Sequence, residues 1–569
     1  MSLAIRVARL LPAVVAPLWA LSAGADPAEL RKLAHDYYEW RDESLPVATS
    51  GQGEHRYDDR ITDYSPQAVN ARRQHVSELL AKVKAMSTQG WNRDDRVDAI
   101  LFQAQLEGAD FFFGRTLDPT ATDPQTYVNE CAGAIFSLLQ KDYAPHRTRA
   151  LAATARLEKM PAMLRTARTN LTKPVKLYAQ LAIQAARGGD DLYTTSLMTL
   201  ADELSTGERK RLVKARDNAV KALHEYADWL DASLARMPDW QPMGEETYNH
   251  LLKRVLLLPF DARDVATLGE IELGRYRALE ALLKDPRLAS PDPARAPHVP
   301  KDQAEFLAAY EARQQEIVDF LKANQLITIP SYVGAFRIRQ LPEAFKPTSP
   351  GGFMNPPGIY DRDPVGFFFI PTYNPKSGNF YIRAAIEDPR PILGHEGIPG
   401  HFLQISIANH VASEIRRQHS DTVFAEGWAL YTEEMLSREG LYPDNSAAQG
   451  QVLRLSRYRA ARIGVDVNLH TGRWSFEQAV QYFMEGGGLD REAAEGEAAG
   501  AASSPSQKIS YITGKWQVMR LLGRYREQRG DTYRLGAFHD QLLSYGTLPL
   551  SVVELLMFDD DASLRKALQ

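Results

Sequence analysis

From about residue 27 to 325, apolar residues recur at three- and four-residue spacing in one segment after another. Examples are "PAELRKLAHDYYEWRDESL", "SPQAVNARRQHVSELLAKVKAM" and "TGERKRLVKARDNAVKALHEYADWLDASLARM". That spacing is the period of an amphipathic helix, and Ser, Thr or Asp near the segment starts supplies capping oxygens. Between about 326 and 386 the pattern gives way to Pro, Gly and aromatic residues. Two β-prone runs, "GFFFI" (366–370) and "NFYIRAAI" (379–386), flank the turn-forming "PTYNPKSG". They predict a hairpin or two neighbouring strands. Helical periodicity returns from about 388 and runs to the end. It is interrupted by "GGGLDREAAEGEAAGAASSPSQ" (486–507), whose small residues read as a surface loop or a lid. The expected fold is mainly α, a large multi-helix body with a small β hairpin or short sheet.

A chain of 569 residues, 44% hydrophobic and 24% charged, is long enough for two or more subdomains or one multi-lobed body. The expected division is 26–325 as a helical scaffold and 326–569 as the region carrying the chemistry. With 67 basic and 72 acidic side chains the net charge is -5, which gives no electrostatic reason to expect nucleic acid or an anionic membrane as partner. Arg6 and Arg9, the apolar run Leu10 to Leu21, and Ala23-Gly24-Ala25 before Asp26 make residues 1–25 an export signal. Pro12 and Pro17 break that run, and no later run of about 20 apolar residues follows, so no membrane insertion is expected. The expected location is periplasmic or secreted, with the mature chain starting after Ala25. Cys131 is the only cysteine, which rules out an internal disulfide.

The candidate chemistry lies in "GHEGIPGHF" (394–402). A catalytic zinc site takes three protein ligands and leaves a fourth position to water, and the H-E-x-x-H pattern works because i and i+4 share a helix face. Here His395 and His401 are six apart, which on a regular helix turns them about 240° away from each other. Pro399 and Gly400 are the residue types most able to interrupt a helix, and a local unwound turn at 397–400 would let the two imidazoles converge. In "FAEGWALYTEEM" (424–435), Glu426 is set among apolar residues and is the candidate third ligand, because a carboxylate buried there needs a partner. Glu433 and Glu434 read as a solvated helix end.

Other residues have two readings each. Arg462, Asp466 and His470 follow i, i+4, i+8 spacing and share a helix face. They are either a surface pair with a nearby histidine, or a cleft wall in which His470 donates to an oxyanion and Asp466 orients it. Tyr511 is either a core tyrosine or a second oxyanion donor. Phe368 lies in a strand that is either core or an edge able to pair with an extended peptide. Arg462 and Lys515 are candidate anchors for a substrate carboxylate.

Ordered segments along the chain resemble one family. They are "YYEWRDESLPVATSGQGEHRYDDRITDYSP" (37–66), "GHEGIPGHFLQ" (394–404), "EGWALYTEEM" (426–435), "RAARIGVDVNLHTGRWSFEQAVQYF" (459–483), "PSQKISYITGKWQVMRL" (505–521) and "FHDQLLSYGTLPLSVVE" (538–554). The chain resembles the bacterial domain-of-unknown-function family 885, whose members carry H-E-G-x-P-G-H-H and E-G-W-A-x-Y motifs. Those members in turn resemble helical zinc peptidases of the H-E-x-x-H plus Glu type. The resemblance implies a central cleft between helical lobes and one zinc ion per chain held by His395, His401 and Glu426. It also implies Glu396 as general base, and a peptide or small amide as substrate. The function expected is an exported zinc-dependent hydrolase of peptide bonds; the alternatives are a zinc amidase or a binding protein that keeps the fold without catalysis. Two positions depart from the family. Phe402 stands where relatives have a second histidine, so the ligand assignment rests on His401, and "EGEAAGAASS" (495–504) replaces a segment in which relatives carry an Arg-Tyr pair.

Overall fold

The computed structural model describes residues 26–283, 300–342, 351–442 and 446–569; the export signal expected over 1–25 lies outside the described residues. The architecture is mainly α, as the periodicity predicts, with one three-stranded sheet among the described residues. Helix starts carry the capping chemistry read from the sequence. Ser65, Asn92, Asp302 and Asp421 each accept a backbone N–H with the side chain, and Ser205 with Glu208 closes a capping box. Among the described residues no helix is long and apolar enough to cross a membrane.

The helices bury three main apolar clusters. One lies within residues 47–237, around Tyr127, Ile135, Leu157 and Tyr226. A second joins Tyr248, Leu273, Ile463, Phe483 and Ile509. The third crosses the chain: Leu30, Tyr38 and Phe102 pack in the same core as Phe402, Trp428, Leu521 and Val553. The first helices of the expected scaffold therefore share a core with the region expected to carry the chemistry.

The sheet differs from the expected hairpin. β1 (Phe336–Gln340), β2 (Phe353–Asn355) and β3 (Gly366–Ile370) lie in the order β1-β3-β2. β3 pairs parallel with β1, Phe336 opposite Gly366, and antiparallel with β2, Phe353 opposite Phe369. "GFFFI" is thus the central strand, buried throughout, and not an edge open to a peptide. Its backbone groups are used on both sides, which explains an uninterrupted apolar run better than alternation would. The second run, "NFYIRAAI", is not a strand: Phe380–Glu387 is a helix. Asn379 accepts the Ile382 N–H at 3.3 Å and starts it, and Tyr310 and Gln451 hold its last turn through the carbonyls of Ala385 and Ala384. Tertiary hydrogen bonds override the β-propensity of its aromatic start. The expected loop or lid at 486–507 is also helical over Arg491–Ser503, capped by Asp490 and buried along Ala494, Ala498, Ala501 and Ala502. Small side chains there allow close packing instead of looseness.

Candidate metal centre

The histidine motif is two helices and a break. Arg390–Glu396 ends at Glu396, and His401–Ala408 begins at His401. Between them Gly397 and Gly400 leave helical geometry (ψ -124° and -134°), and the Ile398–Pro399 peptide is cis. The carbonyls freed by the break find donors. Gln314 reaches the Ile398 oxygen at 3.2 Å, Trp428 Nε1 the Pro399 oxygen at 2.9 Å, and Thr432 the Gly394 oxygen at 2.9 Å. Gly400 passes so close to the preceding turn that a Cβ would sit 1.9 Å from the His395 carbonyl oxygen. This fold-back brings the two imidazoles edge to face, with ring centroids 4.8 Å apart, where a continuous helix would point them away from each other.

Glu426 arrives on Thr422–Arg438, a helix capped by Asp421. This helix crosses Ser510–Arg529 with glycine against glycine: a Cβ on Gly427 would lie 2.4 Å from Gly514 Cα, and one on Gly514 would lie 1.9 Å from the Val423 oxygen. The near-contact of the two backbones sets Glu426 beside Tyr511, one turn before Gly514. Glu426 Oε2 is 3.5 Å from His395 Nε2 and 3.3 Å from His401 Nε2. One ligand atom from each of the three residues lies within 4.8 Å of the others.

Two imidazole nitrogens and a carboxylate oxygen face one another, an arrangement that a cation between them would satisfy. Glu426 Oε2 is buried and has no hydrogen-bond donor. Its separations from the imidazole nitrogens are long for charge-assisted hydrogen bonds, yet they match the edge of a tetrahedron, about 3.4 Å for ligand bonds of about 2.1 Å. The donor set and these two separations therefore suit a zinc ion, with all three ligand atoms within 4.8 Å of one another. Burial pushes the Glu426 carboxyl up, but the two imidazoles outweigh it and hold it well below the usual range. Burial pulls His395 down, and Glu426 with Glu433 overcomes that and lifts it to about 9.

Glu433 is a site residue that sequence reasoning placed in solvent. It is fully buried, with Oε1 2.8 Å from His395 Nδ1, though the two atoms do not meet in straight hydrogen-bond geometry. Arg459 lies 3.1 Å from the same oxygen and 3.2 Å from Oε2. A carboxylate behind the candidate ligand His395 turns Nδ1 of the ring toward itself and leaves Nε2 facing Glu426. The one available signal was that Glu433 falls two helical turns beyond Glu426, on the same face.

The remaining predicted residues divide into those that reach the site and those that do not. Glu396 is half-buried and adjoins His395 in the chain. Tyr511 stacks near His395 with ring centroids 6.3 Å apart, and Arg459 and Arg462 lie over its ring at 5.6 and 4.9 Å. Burial first, then the Glu426 charge, keeps its phenol protonated. Gln507 donates to its oxygen at 3.0 Å, and among the described residues no acceptor takes the phenol hydrogen.

Arg462, Asp466 and His470 do share a helix face on Ser446–His470, and that face grips the 497–508 segment. Arg462 pairs with Glu497 at 3.0 Å, and Asp466 accepts from Ser506 N, Lys508 N and the Tyr248 hydroxyl. His470 Nε2 lies 2.9 Å from the Ala501 oxygen, its ring between Tyr248 and Trp240, and none of these neighbours is a ligand residue. Lys515 is buried against Glu434 and Tyr276. Neither Arg462 nor Lys515 is free to anchor a carboxylate. Phe368 is in the core near Tyr310, with ring centroids 6.1 Å apart. Phe402 is fully buried against Phe336 and turned away from the ligands, so His401 is the histidine that faces Glu426.

Two solved structures are similar in fold along nearly the whole chain. One is "a putative lipoprotein of unknown function from Shewanella oneidensis", 22% identical, TM-score 0.73, covering 94% of this chain and 100% of its own. The other is "the putative lipoprotein from Colwellia psychrerythraea", 18% identical, TM-score 0.75, covering 95% of this chain and 98% of its own. None of the curated proteins matches the chain. The model of a family described as "Bacterial protein of unknown function (DUF885)" matches residues 46–557, and the chain belongs to that family.

Proposed function

We propose that this protein is an exported zinc-dependent hydrolase of peptide bonds acting on short peptides. The observation that carries the reading is the convergence of His395, His401 and Glu426, with Glu426 Oε2 buried and lacking any donor. A zinc ion held by these three residues supplies a Lewis acid that polarises a carbonyl and brings the pKa of a water to about 7. Glu396 takes the proton of the attacking water and hands it to the leaving nitrogen. Tyr511 offers its uncommitted O–H to the oxygen of the attacked carbonyl as charge develops there. Glu433, backed by Arg459, holds the His395 ring so that Nε2 faces the other ligands. The expected location is periplasmic or secreted, on the ground of the leader-like residues 1–25.

The test joins elemental analysis with peptide hydrolysis. The purified mature protein should carry about one zinc per chain, the number of ligand sets, and His401→Ala should lose it. Glu396→Gln should retain the metal and lose roughly 10²–10⁴-fold in turnover. No zinc uptake, or undiminished hydrolysis by Glu396→Gln, would refute the assignment. Turnover of non-peptide amides alone would move it to an amidase. Zinc retained without turnover of any amide would make the protein a binding protein.

A further inference from the structure

A partly open cavity of about 1130 Å³ separates the N-terminal helices from the C-terminal half. No candidate ligand residue lines it, but its wall adjoins the surroundings of the candidate centre. Gln507 stands in its wall and donates to the Tyr511 hydroxyl, and Val423 stands in its wall one turn before Glu426. Aromatic rings, among them Trp40, Tyr64, Phe113 and Trp240, line it, and Phe113 is 68% exposed at its rim.

The charges in this wall are unevenly satisfied. Of the arginines, Arg41 is paired with Asp42 and Arg73 with Asp118, while Arg72 donates to the Asp63 carbonyl and lies over the Tyr64 ring. The carboxylates Asp123, Glu130 and Asp421 accept backbone N–H groups, and among the described residues none of them is in an ion pair. Burial lifts Asp123 to about 6 and Asp421 to about 7, against the hydrogen bonds they accept.

Two acceptors lie behind this wall, buried from the open space. His470 is 1% exposed, with Nε2 2.9 Å from the Ala501 carbonyl oxygen and Nδ1 buried without a partner. Gln507 uses its amide N–H on Tyr511 and leaves Oε1 buried without a donor. Among the described residues, three carboxylates outside any ion pair, against one such arginine, Arg72, leave the wall with an excess of negative charge.

We infer that this cavity binds the cationic part of the substrate, a peptide segment carrying an ammonium or guanidinium group flanked by apolar or aromatic residues. The inference rests on the proposed peptide hydrolysis and deepens it. Asp123, Glu130 and Asp421 supply the counter-charge, and the aromatic wall takes the neighbouring apolar side chains. Asp466 is a positioning residue: it holds the Ser506 and Lys508 amides and so fixes the turn that carries Gln507.

The probes are three acetylated tripeptide amides, Phe-Xaa-Leu with Xaa as Lys, norleucine or Glu, titrated into full-length Glu396→Gln protein and followed by tryptophan fluorescence. The lysine peptide should bind at least about tenfold more tightly than the norleucine peptide, and the glutamate peptide most weakly. Asp123→Asn with Asp421→Asn, each keeping its capping oxygen, should bring the lysine and norleucine affinities within about twofold of each other. Should that double variant not fold, Glu130→Gln alone should still narrow the ratio. Equal affinities, or a preference for glutamate, would overturn the inference. Hydrolysis by the unsubstituted protein is scored separately: cleavage with no preference for charge removes the cavity assignment and leaves the function, whereas charge-selective binding with no cleavage does the reverse.

Discussion

Glu433 shows how far a single residue can be misjudged from its neighbours in sequence. "TEEM" looks like the polar end of a helix, and nothing local signals that Arg459, on a different helix, will meet Glu433 in the core. Glu426 was legible because a carboxylate among Phe424, Trp428 and Leu430 has no local explanation other than a partner. His470 and Lys515 went the other way: chemically able side chains whose groups are used in packing the fold. Glu433→Gln keeps the shape but removes the charge between His395 and Arg459. It should weaken zinc affinity by about 10–100-fold, measured by competition with a chelator, while a full zinc load is still reached at saturating metal. Unchanged affinity would mean that Glu433 serves only to neutralise Arg459.

At the scale of elements, the helical periodicity and the Pro-Gly interruption were readable, because both are local backbone properties. The sheet was not. "GFFFI" in the centre and "FYIRAAI" as a helix depend on partners that sequence order hides, β1 and β2 on one hand and Tyr310 and Gln451 on the other. The alanine-rich 491–503 helix was mistaken for a loop because small residues signal both looseness and close packing. Close packing matters most where Thr422–Arg438 crosses Ser510–Arg529. Gly514→Ala places a methyl 1.9 Å from the Val423 oxygen and must part the two helices. It should cost about 1–3 kcal/mol in denaturant unfolding and weaken zinc binding, since Glu426 moves with its helix. Gly523→Ala, on the same helix but facing open space, should be neutral or stabilising by up to about 1 kcal/mol. Equal effects of the two substitutions would show that the crossing is not what positions Glu426.

For the molecule as a whole, the sequence indicated a mainly α body and a single centre of chemistry, but not that the first helices share a core with the last. His539 stands at that junction, its Nδ1 donating to the Leu326 carbonyl at 2.6 Å and its Nε2 accepting from the Tyr431 hydroxyl at 2.8 Å. Burial pulls it down to about 4, against which nearby Asp540 does little. A histidine depressed in the folded state binds its proton first in the unfolded state. Its contribution is therefore complete above about 6.5, is lost as pH falls from there to about 4, and amounts to about 3 kcal/mol. His539→Gln should flatten the fall in unfolding free energy across that window by a similar amount; parallel curves for variant and parent would contradict it. The helix Ser446–His470 has one more consequence. It grips Glu433 behind the histidines through Arg459, and the wall of the large cavity through Asp466 and His470. One helix therefore links the two proposed binding sites. Any ligand that shifts it changes the affinity for the cation by some factor, and thermodynamic reciprocity requires the cation to change the affinity for that ligand by the same factor.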